Sequence, residues 1–165
     1  YKQKGQDILI EAFKYLKEKI PSFKIIFTGN EQTYFSSYNH LLNLAKKYNL
    51  HNKVIFKNFP DIREAYSISD IILLPERFAS FGLSLVQSIT LGFPVIASNI
   101  PTFREIAKNV PYVSLIRNTS FSYRKKILEF IENKPRRYVR LGRKFGNTLS
   151  WKNTAKKFIN TMNLK

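Results

Sequence analysis

The sequence predicts a doubly wound α/β fold, in which helices cover both faces of a parallel, Rossmann-like sheet. Short apolar runs such as residues 23–28 and 94–98 alternate with longer segments whose apolar residues recur at helical spacing. Apolar residues lie on both faces of these runs rather than at every second position only, which is typical of strands buried on both faces. Strands and helices that alternate in this way indicate a parallel sheet with crossover helices.

The first half of the chain contains three strand–helix alternations. A helix is predicted over residues 6–19, because Ile8, Leu9, Ala12, Phe13 and Leu16 share one face and Pro21 ends the segment. The apolar run 23–28 is a strand that ends at a glycine. The further predicted elements of this half are a helix marked by Tyr38, Leu41, Leu42 and Ala45, a strand over 53–59, a short helix over 62–66 and a strand over 70–74.

The second half of the chain continues the alternation of strands and helices and ends in a basic segment followed by an amphipathic one. A helix over 83–91 stops at Gly92, and a strand over 94–98, a strand over 112–115 and a helix over 123–132 follow. Residues 136–145 are basic, and the last segment has an apolar helical stripe formed by Trp151, Ala155, Phe158, Ile159 and Met162. We expect one domain over residues 1–165, with residues 135–165 forming helices that pack on its core.

The composition excludes several classes of site. The chain has 165 residues, no cysteine and two histidines, so disulfides and thiol catalysis are excluded and a zinc site has few candidate ligands. His40 and His51 have no acidic or cysteine partners at ligand spacing. No apolar stretch approaches the roughly 18 residues that span a bilayer, and no signal-peptide pattern opens the chain. We therefore expect a cytoplasmic domain.

The charge is strongly basic, with 28 Lys and Arg residues against 11 Asp and Glu residues and a formal net charge of +17. Such an excess attracts anions, which include nucleotides, nucleic acids and acidic lipids, although a solvated basic surface is an equally valid interpretation. No known nucleic-acid-binding motif is present, and we expect no nucleic-acid partner.

The segment 73–87 is the best candidate for a ligand site. The chain contains no dinucleotide fingerprint, P-loop or nucleophile elbow. In this segment a strand leads through a loop into a helix, and ligands of open α/β sheets bind at the carboxyl ends of strands. The free amides near Phe81, Gly82 and Leu83 can receive a phosphate, but Gly82 can equally be a glycine required by a tight turn.

Residues 75–87 read PERFASFGLSLVQ, and residues 92–98 read GFPVIAS. They resemble the signature of the family 4 retaining glycosyltransferases of GT-B fold, which is P-S-x-x-E-x-F-G-L-x-x-x-E-A followed by G-x-P-V-I-A-S. Further similarities to family motifs lie at Lys4-Gly5, at residues 27–29, 54–61 and 101–106, and at Trp151. The similarity extends over nearly the whole chain, in order and at the right spacing.

The resemblance implies roles for individual residues. Lys4 would pair with the diphosphate of a nucleotide-sugar donor, the amides of Phe81, Gly82 and Leu83 would hold the same phosphates, and residues 59–61 would hold the base. The donor-binding set implied by the resemblance is Lys4, Gly29, Phe59, Pro60, Ser80, Phe81, Gly82, Leu83 and Gln87.

Two positions depart from the family pattern. Ala79 and Gln87 occupy the positions of two family glutamates that serve the sugar and the ribose, so no catalytic residue is assigned in this chain. Gln87 keeps an amide that can bind ribose hydroxyls, whereas Ala79 offers nothing to a sugar. Glu76 lies three residues earlier and would reach inward only if the loop were altered. A degenerate homologue that binds a nucleotide sugar or a protein without catalysis is therefore the alternative hypothesis.

The family architecture implies that this chain is the C-terminal half of a longer retaining hexosyltransferase. Its first strand and the N-terminal half, which holds a glycan or lipid-linked acceptor, would lie outside the chain. We expect this half alone to bind a donor without completing the reaction, and we expect no metal or other cofactor. The basic residues 124–144 would suit an anionic membrane surface, at the inner face of the membrane.

Overall fold

The computed structural model describes residues 2–29, 35–133 and 136–162. The helices and strands are α1 (Gln6–Leu16), β1 (Ile25–Thr28), α2 (Phe35–Lys47), β2 (Val54–Lys57), α3 (Ile62–Ser67), β3 (Ile72–Leu74), α4 (Leu83–Thr90), β4 (Val95–Ser98), α5 (Pro101–Ile106), β5 (Val113–Ile116), α6 (Ser120–Glu132), α7 (Val139–Thr148) and α8 (Trp151–Met162). The alternation of strands and helices confirms the predicted α/β class.

All paired strands are parallel, as predicted, but they form two sheets rather than one. Strand β1 pairs with β2, with Ile25 opposite Val54, and the order of the second sheet is β3-β4-β5. Within the described ranges no strand pairing joins β1 to β3. The two sheets nevertheless share a core, because Ile25 of β1 and Ile96 of β4 belong to the same buried cluster.

Side-chain packing explains where the element boundaries differ from the prediction. Strand β1 begins at Ile25 rather than at residue 23, and the Phe23 ring instead lies 4.9 Å from the Phe13 ring of α1. Helix α6 begins at Ser120, before the predicted residue 123, because the Thr119 side chain caps it by accepting a hydrogen bond from the Ser122 amide. Capping and packing thus determine the first residues of β1 and α6, which the periodicity of apolar residues alone does not define.

The hydrophobic core has two parts. One lies around α1, whose apolar face packs against α2 and α6, and the other lies around α4 and β4. Strand β4 is buried at all four positions, which agrees with its uninterrupted apolar sequence. The second core supports the end of β3 and the start of α4, and thereby fixes the loop between them.

Helix α7 packs closely on α4. A Cβ atom at Gly142 would lie 2.5 Å from the Thr90 carbonyl oxygen and 2.6 Å from that of Ile89, so the two backbones are in contact. The Tyr138 amide donates to the Gly92 carbonyl at 2.6 Å, and the Tyr138 ring stacks on Tyr112 with centroids 4.7 Å apart. The absence of a side chain at Gly142 is therefore what allows this approach.

Helix α8 differs from the prediction that the last apolar stripe packs on the core. None of its residues is buried, and Trp151 is 89% exposed. The other large apolar residues of the stripe, Phe158, Ile159 and Met162, are also exposed, as is Ala155. The helix carries its stripe as predicted, but this domain does not cover it. Among the described helices, none combines the length and the apolar content that crossing a bilayer requires.

Candidate functional site

The candidate site is built from two chain segments, residues 2–7 and the loop that follows β3. Gly5 caps α1 in the left-handed conformation, with φ 68°, and a Cβ atom there would overlap the Pro75 carbonyl. Only glycine combines this backbone conformation with such a close approach. The contact places Lys4 beside the start of the β3–α4 loop.

Arg77 connects the two segments, and we call its contacts with residues 2–7 the Arg77 clasp. Its guanidinium nitrogens lie 2.9 and 2.6 Å from the two carboxylate oxygens of Asp7, and its amide donates to the Gln3 carbonyl at 2.8 Å. Partial burial raises the pKa of Asp7, but the hydrogen bonds and charge of Arg77 outweigh this effect and hold the pKa below its ordinary value. The two-pronged geometry is the strong form of an Arg–carboxylate contact.

Lys4 and Glu76 form an ion pair within the site. The Lys4 Nζ lies 3.0 Å from the Glu76 Oε2, and the Glu76 side chain is only 6% exposed, whereas that of Lys4 is 52% exposed. The ammonium of Lys4 therefore reaches solvent, while the carboxylate is held inside. The sequence predicted an inward Glu76 only if the loop were altered, and the structure buries this side chain beside Lys4.

Asn118 fixes the main chain of the same loop and was missed by sequence reasoning. Its Nδ2 donates to the carbonyls of Pro75, at 3.0 Å, and Glu76, at 3.3 Å. Its buried Oδ1 has no hydrogen-bond partner among the described residues, as is also true of the Gln6 Oε1. The signal that could have identified Asn118 is its position two residues after β5, because polar residues near the carboxyl ends of parallel strands line ligand sites.

The buried hydroxyl groups of Tyr123 and Ser98 hold the end of β3, where the β3–α4 loop begins. The Tyr123 hydroxyl donates to the Leu74 carbonyl at 2.9 Å and lies 3.3 Å from the Ser98 Oγ. Burial raises the pKa of Tyr123, the charge of Glu76 raises it further, and the Ser98 hydrogen bond opposes both. Tyr123 therefore acts as a neutral donor that holds the end of β3.

Gly82 forms the turn into α4. It adopts φ 73°, and a Cβ atom there would lie 2.7 Å from the Ile106 Cδ1. Within the described chain, the amides of Gly82, Leu83 and Ser84 donate no hydrogen bond to a protein group. These amides and the positive end of the helix dipole make the turn suitable for an anion.

Lys4 and the Gly82 turn line the same pocket, whose volume is about 170 Å³. The lining residues are Gln3, Lys4, Glu76, Ala79, Ser80, Phe81, Gly82, Leu83 and Ser84. The structure thus brings together Lys4, Ser80, Phe81, Gly82 and Leu83 of the predicted set and adds Gln3, Glu76 and Ser84 to them. A larger hollow of about 400 Å³ between α1 and α6 contains none of the predicted residues.

The other predicted residues lie outside this lining. Gly29 ends β1, Phe59 is half-buried beside the Lys57 ammonium, which lies 4.7 Å from its ring centroid, and Pro60 is exposed. Gln87 lies half-buried on α4. Ala79 is buried within the pocket wall, and its carbonyl accepts a hydrogen bond from the Thr102 hydroxyl at 2.6 Å.

Comparison of the sequence with known proteins shows the family to which this chain belongs. A family model described as "Glycosyl transferases group 1" matches residues 1–145. The O-antigen biosynthesis glycosyltransferase WclY of Escherichia coli is 36% identical over 120 residues, which are 72% of this chain and 32% of that protein. The chain therefore spans about one third of the length of this relative.

Solved structures show the fold. Anabaena HepE, in complex with UDP and glucose, superposes with a TM-score of 0.80 at 21% identity, over 99% of this chain and 46% of HepE. The C-terminal domain of a group 1 family glycosyl transferase (LpcC) from Francisella tularensis gives a TM-score of 0.71 at 21% identity, over 90% of this chain and 80% of that domain. The described architecture is thus that of such C-terminal domains.

Proposed function

Because this chain belongs to the group 1 glycosyltransferase family, we propose that it is the domain that binds the nucleotide-sugar donor. The observation that carries this proposal is the convergence of the Lys4 side chain and the free amides of the Gly82 turn on one pocket. A diphosphate needs both features, since the ammonium supplies charge and the amides supply directed hydrogen bonds. The UDP and glucose present in the HepE complex support a ligand of this class.

The remaining predicted residues extend this site along the ligand. Phe59 and Pro60 would contact the base, and Gln87 would donate or accept hydrogen bonds at the ribose. Phe59 and Pro60 follow the carboxyl end of β2, and Gln87 lies on α4, the helix that follows β3. A nucleotide bound with its diphosphate at Gly82 would run along the edge where these strands end.

The reaction we propose for the whole protein is transfer of a hexose with retention of configuration. In such a reaction the leaving diphosphate gains charge, and Lys4 and the turn amides would stabilise that charge. An acceptor would be held by a part of the protein outside this chain, and the name of the WclY relative supports a glycan acceptor or a lipid-linked one. We propose that neither a metal ion nor another cofactor takes part.

Ala79 supports a second candidate function. It occupies the position of a family glutamate, it is buried, and its methyl group cannot accept a hydrogen bond from a sugar. A degenerate homologue would keep the phosphate site and lose turnover. It would then act as a nucleotide-sugar-binding or protein-binding module.

Calorimetry with UDP, UDP-glucose, GDP and GDP-mannose on the intact protein tests donor binding. We expect one nucleotide and its sugar ester to bind, and Lys4→Met to weaken both by roughly tenfold or more, the size of a charge-assisted contact. Lys152→Met removes an equal charge from α8 and should leave both affinities unchanged. If no nucleotide binds to the wild-type protein, the proposed function is wrong.

The basic C-terminal region supports a location at a membrane. Residues 124–144 are rich in Lys and Arg, and no acidic residue follows Glu132 in the sequence. The exposed apolar stripe of α8 lies in the same region, with Lys152, Lys156 and Lys157 on the same helix. We propose that this region contacts an anionic membrane surface from the cytoplasmic side.

A further inference from the structure

The side chains that line the pocket at the Gly82 turn have no net formal charge, although the chain is strongly basic. The lining contains one cationic side chain, Lys4, and one carboxylate, Glu76, so their formal charges cancel, whereas the whole chain carries +17. A site that bound phosphate through charge alone would have no carboxylate in it. Glu76 therefore lowers the attraction that the pocket exerts on any anion.

Glu76 is fixed in this position. The Asn118 amide holds the Glu76 carbonyl at 3.3 Å, and the next residue, Arg77, is bound through its amide and its guanidinium to residues 2–7. The carboxylate itself is nearly buried and is bonded through Oε2 to Lys4. An incoming ligand must therefore accommodate the carboxylate.

The two diphosphates that a sugar transferase meets, the nucleotide sugar and the free nucleoside diphosphate, differ at the terminal phosphate. In a nucleotide sugar, the terminal phosphate is esterified and carries one negative charge, and the sugar adds hydroxyl donors. In the free nucleoside diphosphate, the same phosphate carries up to two charges at neutral pH, because its second ionisation lies near pH 6. A carboxylate repels the extra charge and accepts hydrogen bonds from hydroxyls.

We propose that Glu76 is a specificity-determining residue that makes the site prefer the sugar diphosphate ester over the free nucleoside diphosphate. This inference rests on the proposed donor-binding function. Both effects of the carboxylate act in the same direction, since it disfavours the more highly charged product and hydrogen-bonds the glycosylated donor. The consequence is a site that releases its product and remains open to new donor.

Glu76→Gln tests the inference, with UDP and UDP-glucose as the ligands in calorimetry on the intact protein. The amide keeps the size of the side chain and an oxygen acceptor for Lys4 but removes the charge. We expect the affinity for UDP to rise roughly five- to tenfold, the size of one charge–charge contact in a partly solvated site, and the affinity for UDP-glucose to rise by a clearly smaller factor, because the ester carries one charge fewer and loses the hydrogen bonds of the carboxylate. Glu129→Gln removes a carboxylate from the surface of α6 and should change neither affinity.

Two further variants keep the test decisive if Glu76→Gln does not fold. Glu76→Ser introduces the residue of the family signature and should also raise the affinity for UDP, whereas Glu76→Asp retains the charge and should preserve the preference. If the Glu76 variants shift both affinities by the same factor, Glu76 only positions Lys4 and the inference is wrong, while donor binding stands. If the wild-type protein binds neither ligand nor any other nucleotide tested, donor binding itself is wrong.

Discussion

The Arg77 guanidinium and the Asp7 carboxylate join the first helix to the loop after β3 through a pair of hydrogen bonds, 2.9 and 2.6 Å long. Neither residue lines the pocket, yet their contact holds residues 2–7, and with them Lys4, against the loop that leads to Gly82. The site therefore depends on a clasp outside it.

Breaking the clasp should weaken both the fold and anion binding. We expect Arg77→Gln to lower the free energy of unfolding by about 1 kcal/mol, because the pair is partly exposed and exposed pairs contribute little. Urea unfolding measures this change, and UDP calorimetry should show weaker binding because Lys4 loses its support. Lys126→Gln breaks the pair with Glu129 on α6, outside the pocket lining, and serves as the control. Equal losses in both variants would contradict a special role for the clasp.

The same pair predicts a dependence of stability on pH. The pKa of Asp7 is lower in the folded state than its ordinary value, so its contribution is present above the unfolded-state pKa of about 3.9 and is lost as the pH falls through the folded-state pKa. The pKa of Asp61 is also lowered, so wild type must be compared with Asp7→Asn. We expect the difference in unfolding free energy between the two proteins to shrink as the pH falls below about 4. A constant difference would contradict the assignment.

Gly5→Ala should be among the most destabilising substitutions in the chain. The left-handed backbone strains any residue with a Cβ atom, and this Cβ would overlap the Pro75 carbonyl, so we expect a loss of roughly 2–4 kcal/mol. Thermal unfolding by circular dichroism measures it. Gly146→Ala is the matched control, because that glycine is helical and its new methyl group would meet chiefly the end of the Thr90 side chain.

Restoring the family glutamates separates an active enzyme from a degenerate one. We expect Ala79→Glu combined with Gln87→Glu to raise transfer by the intact protein only when Glu76→Ser is also present. Glu76 and residue 79 line the same small pocket, and two carboxylates there would repel each other. Product formation from UDP-glucose or GDP-mannose is the measurement. If the triple variant shows no gain over wild type, loss of the glutamates does not limit turnover.

The exposed stripe of α8 predicts binding to anionic vesicles. We expect the protein to sediment with phosphatidylglycerol vesicles and not with phosphatidylcholine vesicles, and to be released by salt, since each Lys or Arg near an anionic surface contributes about 1 kcal/mol. Trp151→Ala with Phe158→Ala should weaken binding by removing the apolar contact, whereas Tyr15→Ala on α1 removes an exposed aromatic ring elsewhere. Equal sedimentation with both lipids would end the membrane proposal.

The parts of the site that depend on the main chain could be predicted from the sequence. The strand–helix turn at Gly82 follows from a glycine between an apolar run and an amphipathic segment, and both Gly82 and Gly5 have the positive φ that favours glycine. Strand β4 was recognisable because it is buried on both faces, as is usual for the inner strands of parallel sheets. The division of the strands into two sheets depends on which edges meet, and local periodicity carries no information about that.

The parts that depend on contacts between distant residues could not be predicted. Glu76 points inward because the Asn118 side chain and the Arg77 clasp fix the loop. Asn118 lies 42 residues from Glu76 in the sequence, and Arg77 lies 70 residues from Asp7. The stripe of α8 was recognised, but a periodic pattern shows only that a face is apolar and does not identify what covers it.

Helix α4 is eight residues long, which corresponds to about 12 Å. Its first turn carries the amides of Leu83 and Ser84, for which we propose phosphate binding, and the carbonyls of its last residues contact α7 at Gly142. One short helix therefore connects the pocket to the C-terminal region. The membrane contact that we propose for the C-terminal region would therefore lie next to the last turn of the helix whose first turn forms the proposed phosphate site.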